Sequence, residues 1–237
     1  MKKITLKPLM AIAAIGIFAA AAGAQTAAPK ATPVPKASPP APLPDIYTKK
    51  DAASPTSIEI FNTYLAEEYE NEAKAAIKKS NYKGALENYT KAIELQPKRA
   101  EYYVARGTLY DDNMPNMKGD ALIDFTKAIE LDPKSKQALL GIGDILSDHS
   151  YGLYEKAIPY FTAYIALDQK NFVAYASRGM CLGKLGKKAE AIADLKKALQ
   201  LEPGQEYAEY NLNALQTGGK VLDGYEWSSE YGNNQVI

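Results

Sequence analysis

Four segments of the chain repeat one pattern of small, bulky and proline residues, and this repetition constrains the fold more than any other feature. The segments span 84–97, 120–133, 156–169 and 190–203, and successive segments are 36, 36 and 34 residues apart. In each, an alanine is followed seven residues later by a second alanine and five residues after that by a proline. The third segment departs from this pattern, with tyrosine in place of the second alanine and glutamine in place of the proline. The three sets of positions are Ala85, Ala121, Ala157 and Ala191; Ala92, Ala128, Tyr164 and Ala198; and Pro97, Pro133, Gln169 and Pro203.

A second set of small residues lies upstream in the same register. Each stands four residues after a bulky residue, and the pairs are Tyr69 and Ala73, Tyr103 and Gly107, Leu139 and Gly143, and Tyr175 and Gly179. Apolar residues recur at helical spacing around both sets, so each unit is predicted to be two helices. Two helices packed closely need small residues where their backbones approach and large ones around that point. Proline lacks an N–H, so it is expected to end the second helix.

The pattern predicts an all-α fold of stacked helix pairs, since one pair cannot bury its own apolar face. Thr56, with Glu59 three residues later, forms a candidate capping box. The helical region is therefore expected to begin near residue 56 and to end near 215. Ser135 and Asn171 are candidate N-caps, whereas Pro159 is expected to loosen the first turn of the helix that contains it.

These residues resemble the tetratricopeptide repeat (TPR), a helix pair of about 34 residues. The resemblance implies a right-handed α-α solenoid of about four helix pairs, occupying 56–215. The units would be 66–99, 100–135, 136–171 and 172–205, followed by a C-terminal capping helix at 206–215. The second and third units depart from the family pattern by two additional residues between their helices, at 111–120 and around 147–154.

The resemblance also implies where a partner would bind, because in this family the first helix of each unit lines a concave groove. Carried over unit by unit, the groove positions of highest interest are Glu70, Lys74, Glu101, Val104, Thr108, Asp111, Leu140, Asp144, Ser147, Val173 and Met180, and the remaining ones are Glu67, Ile77, Gln137, Ala176 and Gly183. The Lys, Asn and Arg with which some members clamp a terminal carboxylate are absent. The groove holds more acids than bases, so a neutral or mildly basic extended peptide is the expected ligand. The alternative is that these charges only solvate an outer face.

Residue types that carry chemistry are scarce. The chain has one histidine, His149, and one cysteine, Cys181, so neither an internal disulfide, a Cys–His pair nor a histidine- and cysteine-rich zinc site is expected. Lys+Arg and Asp+Glu both number 28, which disfavours nucleic-acid binding because phosphate neutralisation dominates that affinity. We therefore predict a protein that is not an enzyme and has no cofactor and no metal site.

The amino terminus predicts export. Lys2, Lys3 and Lys7 precede an uncharged stretch at 9–22, and small residues at 22–24 suit a cleavage site, so residues 1–24 are predicted to be a signal peptide. A retained anchor is the alternative, although this stretch is shorter than the about 20 residues that a spanning helix needs. After cleavage no membrane span is expected, and the protein would be periplasmic or secreted.

Two further segments are expected to lie outside the solenoid. Residues 25–55 are rich in proline and alanine and predict a disordered linker, and residues 216–237 predict a flexible tail. Aromatic side chains such as Trp227 could anchor this tail in the groove of its own or a neighbouring solenoid. Two functions therefore remain open: a scaffold that binds a partner protein or peptide in the groove, and a self-associating homo-oligomer whose tail docks on a neighbour.

Overall fold

The structure, a computed structural model, describes residues 56–231, which belong to one compact unit, Asp51–Ile237. The predicted signal peptide and linker fall outside the described residues. Within 56–231 the chain forms ten α-helices, one short 3₁₀ turn at Pro115–Met117 and no strand. The helices are α1 (Ser57–Lys78), α2 (Tyr82–Leu95), α3 (Ala100–Asn113), α4 (Lys118–Leu131), α5 (Lys136–Ser147), α6 (Tyr154–Leu167), α7 (Phe172–Lys184), α8 (Lys188–Leu201), α9 (Glu206–Thr217) and α10 (Gly224–Tyr231).

Helices α1 to α8 form four pairs, each packed against the next, and α9 packs on the last pair. Each predicted unit overlaps one pair and the predicted capping helix at 206–215 lies within α9, while the bounds of the units stay a prediction. First helices of successive pairs also touch, α3 with α5, α5 with α7, and α7 with α9. They therefore share one face of the stack, which we call the groove face. The all-α solenoid expected from the repeats is confirmed.

The repeated small residues lie at the points where helices meet. All four alanines of the first set are fully buried. A methyl group added to Gly143 would stand 2.6 Å from the ring of Phe161, and one added to Gly141 would stand 2.5 Å from the ring of Phe125. Contacts of this length are too short for carbon atoms, so glycine is required for these close approaches.

Helix ends follow the sequence signals. Thr56 accepts a hydrogen bond from the backbone of Glu59 while the Glu59 side chain accepts one from the Thr56 backbone, so the capping box is present. Asn171 caps α7 through a 3.0 Å bond from the Ala174 N–H, whereas Ser135 stands at the start of α5 without a side-chain cap bond. α2, α4 and α8 each end two residues before the repeated proline.

Two expectations differ from the structure. α6 runs from Tyr154 to Leu167 with Pro159 inside it and without interruption. Pro159 is in the second turn of this helix, where it removes one intrahelical bond while packing of Ala157 and Phe161 holds the backbone. The expected flexible tail is instead folded over its described part, since residues 221–223 are buried and α10 follows them.

A buried arginine bridge joins neighbouring units at two places. Arg106 on α3 donates to both carboxylate oxygens of Asp124 on α4, at 2.7 and 2.8 Å, and to the hydroxyl of Thr90 on α2 at 3.1 Å. Arg178, Asp194 and Thr162 repeat the same bonds at 2.7, 2.9 and 3.1 Å. Each bridge ties the two helices of one unit to the second helix of the unit before it.

Candidate partner-binding groove

Two hollows open on the groove face. The N-terminal hollow lies between α1, α3 and α5 and has a volume of about 690 Å³. The C-terminal hollow, of about 490 Å³, lies between α3, α5, α7, α9 and α10. Of the groove residues carried over from the family, the N-terminal hollow is lined by Glu70, Ile77, Glu101, Val104, Thr108 and Gln137, and the C-terminal hollow by Asp111, Asp144, Ser147, Val173 and Met180.

Other expected groove residues line neither hollow. Lys74 is exposed and pairs with Glu70 at 2.7 Å, and Leu140 packs against the core. Ala176 is buried, Glu67 pairs with Arg99, and Gly183 lies under Val221 of the tail. A family groove position therefore predicts the helix face correctly but not whether the side chain is available. That any of these residues contacts a partner stays a prediction.

Two of the four acids that line the N-terminal hollow have cations beside them. Glu70 is paired with Lys74 at 2.7 Å, and Glu101 lies 3.8 Å from Arg99. The other two, Asp112 and Asp132, form no ion pair among the described residues, and the one lysine that lines this hollow, Lys136, is paired with Asp168 at 3.0 Å. This hollow therefore also carries negative charge, but its inner wall is formed by Val104, Leu109 and neighbouring apolar atoms.

The C-terminal hollow carries uncompensated negative charge. Four aspartates, Asp111, Asp112, Asp144 and Asp148, line it together with one lysine, Lys118. Lys118 is committed to Asp148, with their charged atoms 2.6 Å apart. The carboxylates of Asp111 and Asp144 accept no hydrogen bond from the described residues, so they face the hollow without a direct partner.

Titration of these acids reflects that arrangement. Burial raises the pKa of Asp144 to about 7, and the negative charge of Asp111 adds to this effect. Asp144 is nevertheless exposed to solvent in the hollow. Screening by this solvent makes the rise in its pKa smaller. Burial also raises the pKa of Asp111, with Asp112 and Asp148 adding to it. At Asp148, burial alone would raise the pKa of the carboxyl. The hydrogen bonds from Lys118 and Ser150 outweigh this effect and lower the pKa.

Aromatic and apolar side chains form the opposite wall of the C-terminal hollow. Trp227 of α10 lies with its ring centre 6.1 Å from that of Tyr207 and 5.2 Å from that of Tyr210, and Trp227, Tyr207, Val173 and Met180 line the hollow. An acid cluster opposite an indole suits a cationic group on an apolar stem, because both the carboxylates and the ring face attract a cation. Lysine and arginine side chains have this form.

The tail that supplies Trp227 has a sequence signal that the expectation of flexibility overlooked. Asp223 is followed three residues later by Glu226, and the two form a capping box: Glu226 N–H donates to Asp223 at 2.9 Å and Asp223 N–H donates to Glu226 at 3.1 Å. Two apolar residues, Val221 and Leu222, precede this box and are buried. Such a pattern predicts an anchored helix start.

A possible metal-ligand group in the described residues is occupied by a cation of the protein itself. His149, Asp223 and Glu226 could place ligand atoms within 4.8 Å of one another. The ammonium of Lys184 lies 2.5 Å from Glu226 and 3.7 Å from Asp223. A metal ion would have to displace this ammonium, so we assign no metal role to the group.

The single cysteine is a packing residue. Cys181 is fully buried in α7, and burial raises the pKa of its thiol to about 12. A thiol with this pKa stays protonated and is a poor nucleophile. His149 is 56% exposed on the connection between α5 and α6, with Nδ1 3.7 Å from Asp223. Neither residue is therefore assigned a chemical role.

Comparison with known proteins identifies the class of this helical solenoid. The tetratricopeptide repeat family model matches residues 66–99 and 172–205, the first and fourth predicted units. The chain is therefore a tetratricopeptide repeat protein. The two units between these matches carry the additional residues, which form the 3₁₀ turn at Pro115–Met117 and the connection between α5 and α6.

Solved structures of TPR proteins superpose on the chain. YrrB, described as a TPR protein with an unusual peptide-binding site, is 25% identical, with a TM-score of 0.58 over 66% of this chain and 82% of that one. A MamA protein is 22% identical, with a TM-score of 0.58 over 73% and 98%. MamA from Desulfovibrio magneticus RS-1 is 19% identical, with a TM-score of 0.60 over 65% and 85%. Comparison with curated protein sequences gives no match.

Within residues 56–231, no helix combines the length and apolar character needed to cross a membrane.

Proposed function

We propose that the chain is a non-catalytic interaction scaffold that holds a basic, extended segment of a partner protein along its groove face. The observation that carries this proposal is the pair of carboxylates, Asp111 and Asp144, which face the C-terminal hollow without a hydrogen-bond partner among the described residues. Keeping these carboxylates charged in the hollow costs free energy, because burial raises the pKa of both and the charge of Asp111 adds to the rise at Asp144. A bound cation would relieve that cost.

The N-terminal hollow supports the same proposal in a complementary way. Its apolar inner wall suits uncharged side chains of the same extended segment, and two of its acids, Glu70 and Glu101, already have cations beside them. Both hollows include Asp112 in their lining, so they adjoin at the end of α3. A segment that spans both would place its basic residue at the α5–α7 end and its apolar residues towards α1. YrrB, which shares the fold, is described as having a peptide-binding site.

Peptides selected from a random-sequence display library on the full chain are expected to be enriched in lysine and arginine. For an enriched peptide, Asp111→Asn with Asp144→Asn should raise Kd about tenfold, because each removed charge weakens a partly desolvated ion pair. Affinity should also fall as the pH is lowered, since Asp144, whose pKa is raised, becomes protonated at a higher pH than an ordinary aspartate. Calorimetric titration measures both effects.

The matched control is Asp120→Asn, which removes an exposed carboxylate that lines neither hollow. Its affinity for the same peptide should equal that of the unaltered chain. Selection of acidic or uncharged peptides, or equal losses for the control and the double variant, would contradict the proposed role of the two aspartates.

Self-association through the tail is the weaker hypothesis on the present structure. Residues 221–223 and Trp227 contact α7 and α9 of the same chain, so these residues already have packing partners within the chain. The oligomeric state remains a prediction.

We also propose that the scaffold acts outside the cytoplasm, in the periplasm or secreted, on the strength of the charged and apolar pattern at 1–24. Amino-terminal sequencing of the protein recovered from the outer compartment of producing cells should begin at Gln25. Recovery of the chain from the cytoplasm with residues 1–24 intact would contradict export.

A further inference from the structure

The described tail contacts the groove face in two parts that differ in burial. The first part, residues 221–223, we call the anchor: Val221, Leu222 and Asp223 are 9%, 0% and 1% exposed. The second part is α10, in which Glu226, Trp227 and Ser228 are only half-buried. The two parts meet at Gly224, which is exposed, and a side chain built there would meet no atom within 4 Å.

The anchor is fixed by bonds that are costly to break. The Asn211 side chain on α9 is fully buried, donates to the Leu222 carbonyl at 2.9 Å and accepts from the Leu222 N–H at 2.8 Å. Release of the anchor would leave these buried groups unpaired unless water entered. Val221 lies against Gly183, where an added methyl group would stand 3.2 Å from it. Tyr154 donates to Asp223 at 3.2 Å.

α10 is held in a different way. It has eight residues, and a helix of this length is not stable by itself in water. Glu226 pairs with Lys184 at 2.5 Å and with the more exposed Lys220 at 2.9 Å. The first pair is mostly buried, with side chains 16% and 15% exposed, whereas Lys220 in the second pair is 61% exposed, so that pair contributes modestly. Trp227 supplies an aromatic contact on Tyr207 and Tyr210.

α10 stands where a partner segment would continue along the groove face. Trp227 and Ser228 of α10 line the C-terminal hollow together with the aspartates of α3 and α5. Trp227 also covers Tyr207 on α9, the last first-type helix of the stack. A segment passing from α5 over α7 towards α9 therefore meets α10 before it reaches the end of the face.

We propose that α10 is a displaceable latch on the C-terminal hollow, which hinges at Gly224 on the fixed anchor and is moved aside by a basic partner segment. Displacement by a partner rests on the proposed function, whereas the opening of α10 at Gly224 does not. The latch is held by residues of the solenoid: Lys184 pairs with Glu226, and Tyr207 and Tyr210 contact Trp227. Partner binding would then be limited by how often the latch opens.

Hydrogen exchange measured by NMR on the full chain separates the latch from the anchor. The Trp227 N–H donates to the Asp223 carbonyl at 2.9 Å and reports α10, and the Leu222 N–H donates to Asn211 and reports the anchor. Glu226→Gln keeps the side-chain shape but removes its charge. We expect exchange at Trp227 to become about fivefold faster, because the variant weakens the ion pairs of Glu226 with Lys184 and Lys220, with Leu222 unchanged.

Glu209→Gln is the control, because Glu209 is exposed on α9 and its side chain makes no hydrogen bond or ion pair among the described residues; neither amide should respond to it. If Glu226→Gln accelerates Trp227 and Leu222 equally, the tail opens as one body and the hinge at Gly224 is wrong. If it accelerates neither, α10 is a permanent part of the fold. Both results overturn the proposal.

Hexalysine peptide tests displacement. If it binds, as calorimetry would show, exchange at Trp227 should increase at saturation while Leu222 stays protected. Binding with slower or unchanged exchange at Trp227 would make α10 a fixed wall of the site and overturn displacement. Absence of binding would count against the proposed function and against displacement, while the Glu226→Gln experiment would still decide whether the hinge exists.

Discussion

Arg178→Met is expected to lower the free energy of unfolding by about 3 kcal/mol, because it leaves a buried carboxylate without its cation. Asp194 is 7% exposed and receives two hydrogen bonds from Arg178, at 2.7 and 2.9 Å. Methionine fills much of the same space but donates nothing. Urea denaturation followed by circular dichroism measures the loss.

A double variant shows whether the loss of stability comes from the unpaired charge of Asp194. Arg178→Met with Asp194→Leu should recover most of the stability, since an apolar pair of similar volume replaces the ion pair without leaving a buried charge. Lys127→Met removes an exposed pair with Glu130, whose side chains are 45% and 59% exposed, and should cost about 0.5 kcal/mol or less. A double variant as unstable as Arg178→Met would refute this account of the bridge.

Phe161→Ala is expected to cost about 4 kcal/mol of unfolding free energy, because it empties a fully buried position at the contact of α5 and α6. The Phe161 ring lies directly against Gly143. Gly143→Ala alone should also destabilise, by about 1–3 kcal/mol, since its methyl group would overlap the ring. Urea denaturation of both single variants and of the double variant gives the coupling energy.

In the Phe161→Ala background the effect of Gly143→Ala should change sign. The methyl group then enters vacated space, and alanine favours a helix over glycine by about 1 kcal/mol. Gly119→Ala is the control, because a side chain at this exposed position meets no atom within 4 Å and should act alike in both backgrounds. Additive losses from Gly143→Ala and Phe161→Ala would show that these residues do not share a contact.

The sequence was sufficient to predict the helices because the repeated positions are the contact positions themselves. Ala85, Ala121, Ala157 and Ala191 are all fully buried, and such a requirement for small residues recurs wherever the same packing recurs. Pro159 shows the limit of reasoning from one residue at a time. A proline costs one helical bond, but neighbouring buried side chains can outweigh that cost.

The candidate site was only partly predictable. Family positions indicate the face on which Asp144, Val173 and Thr108 lie, because that face follows from helical periodicity. They do not indicate that Leu140 packs inward or that the tail covers Gly183, since both depend on contacts between residues far apart in sequence. Trp227 was recognised as a possible anchor, but its partners on α9 could only be seen in three dimensions.

The arginine bridges join two of the three junctions between units. One joins the first unit to the second through Thr90, and the other joins the third to the fourth through Thr162. At the middle junction Ile142 takes the place of the arginine, and the polar contacts are instead Lys118 with Asp148 and Gln137 with Thr108. These side chains line the two hollows. A ligand that engages them would therefore act directly on the contact between the second and third units.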